Sequence, residues 1–312
     1  MAIPEGEKAM ARNKTIGVIG LGKMGKPIAE ELVEAKTPLM VWDTSPSARK
    51  PFEKMKGAEV AEPGTMSGKC AVIIFVVPSS LEVADCLKGK AGILQNAGKG
   101  LVLYDFTTSD PVDTKKLGRL AEKRGIAYLD AGMGRGPTRK LVLMIGGDQK
   151  AFRRTKNLLS PIVEKNFHLG ELGSGHAMKL VHNMVLHTIF VSTCEGARII
   201  ERMGMRVEDM IEIFNASVVY SYVSRHRFPN NILSGKWNAN SRVFNLHKDV
   251  GLAVKLGKKL GAEVSLAERT FSFLGKAIKR GMQEQDFSLL YRDFEKIRKV
   301  RLASSSKPVH SD

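Results

Sequence analysis

Residues 173–184, GSGHAMKLVHNM, place a lysine, Lys179, and an amide, Asn183, four residues apart within a run of helical apolar spacing. Side chains four apart share one helix face, so a single small molecule can meet both. Such a pair suits carbonyl reduction. Hydride arrives on carbon while negative charge grows on oxygen, so an ammonium can donate the proton and an amide can orient that oxygen. Burial and a neighbouring positive charge depress a lysine's pKa, which would let it accept the proton in the oxidative direction. A Lys-x-x-x-Asn pair also describes many solvated helix faces, and its weight comes from what precedes it.

That is the segment TIGVIGLGKMGKPIAEEL, in which Gly20, Gly22 and Gly25 form a G-x-G-x-x-G pattern between an apolar strand and a helix. Gly20 permits a tight turn, Gly22 lets backbone amides approach a pyrophosphate, and Gly25 permits close helix packing. The helix N-terminus turns N–H groups and a positive dipole end toward the phosphates. Leu21, Lys23 and Met24 lie between the glycines and are expected to line the same cofactor. About 20 residues on, Asp43 ends the next strand, PLMVWD, where a carboxylate accepts hydrogen bonds from the adenosine ribose. A carboxylate there repels a 2′-phosphate, which favours NAD over NADP, although Arg49 and Lys50 nearby would suit a phosphate. In such sheets the ligand lies beyond the carboxyl ends of the strands. Val77 and Pro78 end one strand and Thr107 and Thr108 the next, which makes Val77, Pro78 and Thr108 further cofactor candidates. The bland alternatives are a core valine and threonines that cap the helix after Pro111.

The elements that hold these residues follow from the pattern. From residue 15 to about residue 170, the runs TIGVIG, PLMVWD, AVIIFVV, LVLYDF and IAYLD alternate with helix-forming stretches, which implies a parallel sheet with crossover helices. LVLMIGG and NFHLG flank a helical segment near Asp148 and are expected to extend the sheet. Apolar residues at helical spacing then run from Met178 to Ile200, and VEDMIEIFNAS, LHKDVGLAVKLGKKLG and SLAERTFSFLGKAIKRG all read as helix. The fold expected is α/β, a Rossmann-type doubly wound sheet over residues 1–172 followed by an all-α domain over 173–303. A polar, Ser-rich tail, residues 304–312, is expected to be disordered.

Composition agrees with an ordinary globular protein of about two domains: 312 residues, 43% hydrophobic and 26% charged. The apolar runs fall short of the roughly 20 residues that span a bilayer. The start lacks the apolar stretch of a secretory signal, and Cys70, Cys86 and Cys194 have neither disulfide-framework nor metal-ligand spacing. A reducing cytoplasm and no metal site are therefore expected. The net charge of +17 would suit nucleic acid if the basic residues clustered with aromatics. They are scattered, so a solvated basic surface that attracts anionic substrates and cofactors is the simpler reading.

Together, the glycine fingerprint, the GSGHAMKLVHN segment and the later Lys248-Asp249 pair resemble the β-hydroxyacid dehydrogenase family. Its members share a glycine fingerprint, a substrate loop, a G-x-G-x-x-x-K-x-x-N-N segment and a K-D pair. By position, the resemblance makes Lys179 the catalytic lysine and Asn183 a substrate ligand. It places Lys248 near substrate and nicotinamide, with Asp249 bracing the lysine. His182 stands where the first of the two asparagines usually falls. Many members read D-A-P-V-S-G-G in the substrate loop; here DAGMGRGPTRKLVLMIGG is shorter and brings Gly134, Arg135 and Gly136 to that place as substrate-binding candidates. The guanidinium of Arg135 is a planar fork suited to carboxylate, phosphate or sulfonate. The Gly-Arg pair and FPNNILSGKW, residues 228–237, are similar to the sulfolactaldehyde reductase branch. The implied reaction is NAD-dependent reduction of a small anionic aldehyde, sulfolactaldehyde or a carboxylate semialdehyde, or the reverse oxidation, with substrate in a cleft against Lys179. Another β-hydroxyacid or β-hydroxy amino acid would use the same mechanism. Imine-reducing relatives and non-enzymatic scaffolds that recruit nucleic acid usually lack the lysine, so its presence argues against both. The resemblance also implies homodimers or homotetramers built through the helical domain.

Overall fold

The computed structural model describes residues 14–89, 91–136, 138 and 140–301. The expected disordered tail, residues 304–312, lies outside them. The chain divides into two compact units, Met1–Lys179 and Leu180–Asp312.

The first unit is built on an eight-stranded sheet in the order β3-β2-β1-β4-β5-β6-β7-β8. Its strands are β1 (Ile16–Ile19), β2 (Leu39–Trp42), β3 (Ala58–Val60), β4 (Val72–Phe75), β5 (Val102–Asp105), β6 (Ala127–Arg135), β7 (Leu141–Gly146) and β8 (Val163–His168). Helices α1 (Gly25–Glu34), α2 (Pro46–Glu53), α3 (Pro63–Lys69), α4 (Ser80–Leu87), α5 (Ile93–Asn96), α6 (Pro111–Glu122) and α7 (Gln149–Thr155) connect them. β1, β4 and β5 are buried along their whole length, as near-continuous apolar runs covered on both faces should be. Strand alternation divides the side chains between two cores. Val18, Val41, Ile74, Tyr104 and Ala131 pack with Ile28 and Leu32 of α1 on one face. Ile19, Met40, Phe75, Leu103 and Tyr128 pack with Val83 of α4 and Leu117 of α6 on the other.

Two features depart from the sequence reading. β3 is an extra edge strand whose three residues, AEV, carry too little apolar pattern to announce it. The sheet is not wholly parallel: β7 runs antiparallel to β6, from Asp130 opposite Gly146 to Arg135 opposite Leu141, and β8 runs parallel to β7. The connection from β6 to β7 is residues 136–140, a hairpin far shorter than the dozen or so residues a parallel crossover needs. Gly134 and Arg135 therefore belong to a strand, and only Gly136 stands in the connecting turn.

Helix α8 (Ser174–Arg202) begins in the first unit and continues into the second. The second unit adds α9 (Val207–Ala216), a π-type helix (Val223–Leu233), α10 (Val243–Lys259), α11 (Ser265–Lys279), α12 (Leu289–Arg292) and α13 (Phe294–Arg298). It is helical throughout its regular elements. Its core gathers Phe190, Phe228, Leu246, Val250, Leu274, Tyr291 and Phe294. Among the described residues, no helix is long and apolar enough to cross a membrane.

Candidate active site

The glycine turn after β1 has the stereochemistry its sequence requires. Gly20 has φ +96°, a left-handed backbone that side chains disfavour, and a Cβ on Gly25 would overlap the Gly20 carbonyl oxygen. At Gly22 a Cβ would meet nothing within 4 Å, so the backbone there is open to an approaching group. α1 begins without a side-chain cap and without an acidic residue in its first turn. By contrast, the side chains of Ser79, Asp110 and Asp148 cap α4, α6 and α7. An uncapped helix start beside an open glycine suits a pyrophosphate, whose oxygens take up the unpaired N–H groups.

Asp43 ties the turn after β2 to this loop. Its Oδ2 accepts from the Leu21 N–H at 2.7 Å and its Oδ1 from the Ser45 N–H at 2.8 Å. A carboxylate offers about four lone-pair sites, so two bonds leave acceptor capacity for ribose hydroxyls. Arg49 Nη1 donates to the Asp43 backbone oxygen at 2.8 Å while its guanidinium lies 4.4 Å from the Trp42 ring centroid. The residues present thus fit a nicotinamide dinucleotide and favour NAD. Replacing Asp43 with serine is expected to narrow the preference for NADH over NADPH by about tenfold, measured as the ratio of dissociation constants, because the carboxylate no longer repels a 2′-phosphate.

Other cofactor candidates fall into place around the same edge. Val77 is half-buried, and its Cγ1 lies 3.0 Å from where a Gly20 Cβ would stand; Pro78 beside it is exposed. Thr108 is half-buried just after β5, whereas Thr107 is buried with its hydroxyl 2.7 Å from that of Ser109. Neither threonine caps α6, since Asp110 does, its carboxylate accepting from the Val112 N–H at 2.9 Å. Lys23 is exposed on the glycine loop and Met24 is half-buried beside it.

Lys179 is half-buried on α8, with its side-chain base against β6. A Cβ at Gly132 would overlap Lys179 Cβ and lie 3.0 Å from the Gly175 carbonyl oxygen. Gly132 lies beyond Asp130, where β5 stops pairing with β6, so the lysine stands at the carboxyl edge of the sheet, where ligands of such folds bind. Arg135 is exposed three residues farther along β6, and strand alternation puts it on the opposite face from Gly132. Its Nη2 is 3.8 Å from Met24 Sδ, so the guanidinium stands beside the glycine loop.

In the second unit, Asn183 is buried and its Nδ2 donates to Asp249 Oδ2 at 2.7 Å. Its Oδ1 lies 3.0 Å from His182 Nδ1. Lys248 pairs with Asp249 Oδ1 at 3.2 Å. Asp249 therefore braces an amide and an ammonium together.

Sequence reasoning missed a polar cluster beneath the lysine. Asp105 and Asp130 sit opposite each other on β5 and β6, both fully buried. Asp105 accepts from the Tyr128 hydroxyl at 2.6 Å and from the Thr107 N–H at 3.0 Å. Asp130 accepts from the backbone N–H groups of Gly173 and His176, each at 2.7 Å. The buried His176 ring contacts the Thr114 hydroxyl at 2.7 Å and the Asp105 carbonyl oxygen at 3.1 Å. Two apolar runs, LVLYD and IAYLD, each closed by Asp, were the available signal. The cysteines are no rivals as nucleophiles, since burial pushes the Cys70 thiol up to about 12 and the Cys86 thiol up to about 11.

Family models complete the assignment. The NAD binding domain of 6-phosphogluconate dehydrogenase matches residues 15–170, and the model described as NAD-binding of NADP-dependent 3-hydroxyisobutyrate dehydrogenase matches residues 173–294. The chain belongs to the β-hydroxyacid dehydrogenase family. Like other β-hydroxyacid dehydrogenases, it is an NAD(P)-dependent oxidoreductase with a Rossmann-type first domain. It is similar to human mitochondrial 3-hydroxyisobutyrate dehydrogenase, 28% identical over 295 residues that cover 91% of this chain and 88% of that one. It is also similar to 2-(hydroxymethyl)glutarate dehydrogenase of Eubacterium barkeri, 27% identical over 94% of this chain and 99% of the relative. Its fold matches that of the 3-hydroxyisobutyrate dehydrogenase of Mycobacterium tuberculosis, with a TM-score of 0.78 at 24% identity over 90% of this chain and 99% of that chain.

Proposed function

We infer that the protein interconverts a small anionic aldehyde and the corresponding β-hydroxyacid, with Lys179 as the acid and base. The observation that carries this reading is the lysine on Gly132 at the carboxyl edge of a dinucleotide-binding sheet. The bound dinucleotide supplies or accepts the hydride. In reduction, the Lys179 ammonium passes a proton to the substrate oxygen as charge develops there; in oxidation its neutral amine takes that proton back. Asn183, held by Asp249, is assigned the orienting of the same oxygen, and Lys248 the recognition of substrate and nicotinamide. Gly134 and Gly136 present backbone to the substrate on either side of Arg135.

The substrate class follows from charge and from the relatives' names. 3-Hydroxyisobutyrate and 2-(hydroxymethyl)glutarate are both carboxylates that carry a primary alcohol one carbon removed, and the guanidinium of Arg135 suits such a head group or a sulfonate. A screen of NADH oxidation across three- and four-carbon aldehydes bearing carboxylate, sulfonate or no charge tests this. Turnover of anionic aldehydes is expected, and equal turnover of the neutral ones would end the anionic assignment. Sulfolactaldehyde is the sulfonate to include, and β-hydroxy amino acids are the competitors in the oxidative direction. Because Arg135 is exposed, solvent screening limits its contribution to about 1 kcal/mol. Arg135→Ala is thus expected to raise KM for anionic substrates roughly fivefold and to leave neutral ones unchanged. A loss of NADH affinity in its place would assign the guanidinium to the cofactor phosphates beside Met24.

Val181, Val185 and Ile189 are exposed at helical spacing along α8, and this stripe is the face assigned to a contact between two copies of the chain. A cytoplasmic enzyme without nucleic-acid or membrane partners completes the reading.

A further inference from the structure

We propose that Gly132 and Asp130 are positioning residues for Lys179, the glycine setting how closely α8 approaches β6 and the carboxylate fixing the turn that precedes the lysine. The inference rests on the assignment of Lys179 as the acid and base. Its geometry lies wholly within the first unit. Asp130 and Gly132 alternate to the same face of β6. The first carries a fully buried carboxylate whose two oxygens accept separately, Oδ1 from the Gly173 N–H and Oδ2 from the His176 N–H, each at 2.7 Å. One side chain thus holds the backbone on both sides of the start of α8, at Gly173 and at His176, the latter three residues before Lys179.

The second residue carries no side chain where D-A-P-V-S-G-G members carry proline, and in this chain the lysine's helix turn sits in the space so opened. A Cβ on Gly132 would coincide with the space of Lys179 Cβ and press on Gly175 O. The helix returns the arrangement with a glycine of its own. A Cβ on Gly175 would overlap the Met144 carbonyl oxygen and lie 2.8 Å from the Asp130 carbonyl oxygen. Backbone therefore meets backbone where α8 crosses β6 and β7, and both obstacles at Gly175 are main-chain atoms that cannot turn aside. His176, one residue on, is locked by Thr114 and by the Asp105 carbonyl, so the turn has little freedom to rotate. Proton transfer is sensitive to such placement, because a displacement of about 1 Å costs on the order of a hundredfold in rate. A methyl group at Gly132 must push the lysine's helix turn outward by a comparable amount.

The test compares Gly132→Ala, Asp130→Asn and Lys179→Ala with Gly257→Ala, in which the new methyl presses on Val264 in the second unit, near the far end of α10 from Lys248 and Asp249. Melting temperature, NADH affinity by fluorescence, kcat and its pH profile are measured for each. In Gly132→Ala and Asp130→Asn, kcat is expected to fall at least about tenfold with NADH affinity within twofold. The pH limb that vanishes in Lys179→Ala is expected to be displaced in both. Gly257→Ala should lower the melting temperature and keep the wild-type kcat and limb. Wild-type kcat and pH profile in Gly132→Ala and Asp130→Asn, or the same loss in Gly257→Ala, would overturn the inference. Should Gly132→Ala not fold, the isosteric Asp130→Asn decides on the same measurements. Full turnover by Lys179→Ala would remove the reading of the lysine itself; turnover lost there and retained in the two positioning variants removes the inference alone.

Discussion

Lys179→Ala is expected to lower kcat by about 10²- to 10⁴-fold, or ~3 to 5 kcal/mol of barrier, while NADH affinity stays within about twofold. The size follows from what is lost. On the proposed assignment, removing the ammonium takes away the proton donor at the moment the oxygen becomes charged, while the glycine turn and Asp43 assigned to the dinucleotide are untouched. An effect confined to KM would mean that the lysine binds substrate without moving a proton. Steady-state kinetics in both directions, with NADH binding followed by fluorescence, separates these outcomes. Equal activity in variant and wild type refutes the assignment.

Gly25→Ala is expected to act at the other end of the reaction, weakening NADH binding by more than about a hundredfold. The added methyl overlaps the Gly20 carbonyl oxygen, so the turn and the start of α1 cannot both keep their places. In the proposed cofactor site that turn and helix start present N–H groups to the pyrophosphate, and hydrogen bonds to a charged group are each worth about 1.5 to 3 kcal/mol. Circular dichroism should show the fold retained, since the change falls at a loop. NADH affinity within threefold of wild type in a folded variant would show that the glycine loop does not carry the phosphates.

The parts of the site that could be read in the sequence are those whose chemistry is written locally. The Gly20, Gly22 and Gly25 spacing states a turn, an approach and a packing contact within six residues, and Asp43 follows at the end of the next strand. Lys179 stood out as a candidate because a helical run carried it directly after a finished dinucleotide-binding pattern. Asp130 was not, because its role depends on N–H groups 43 and 46 residues away, and no local pattern encodes a contact at that separation. Arg135 was half legible. Its charge pointed to an anion, but which face it takes depends on β6 continuing as a strand through a segment that resembled a loop. β7 was found as a strand and its direction was missed, since the short link after Arg135 was read as a substrate loop rather than as a hairpin.

That hairpin bears on how such an enzyme can change. Six register pairs fasten β6 to β7, and the reach of the turn at their far end is set by its own length. Lengthening or trimming the tip would leave the strands in register. One residue inserted between Asp130 and Gly132 would do something quite different: with a two-residue period, it would turn the bare glycine away and set a side chain where the lysine now rests. Changes of length are therefore compatible with the lysine's seat at the tip and incompatible with it at the root.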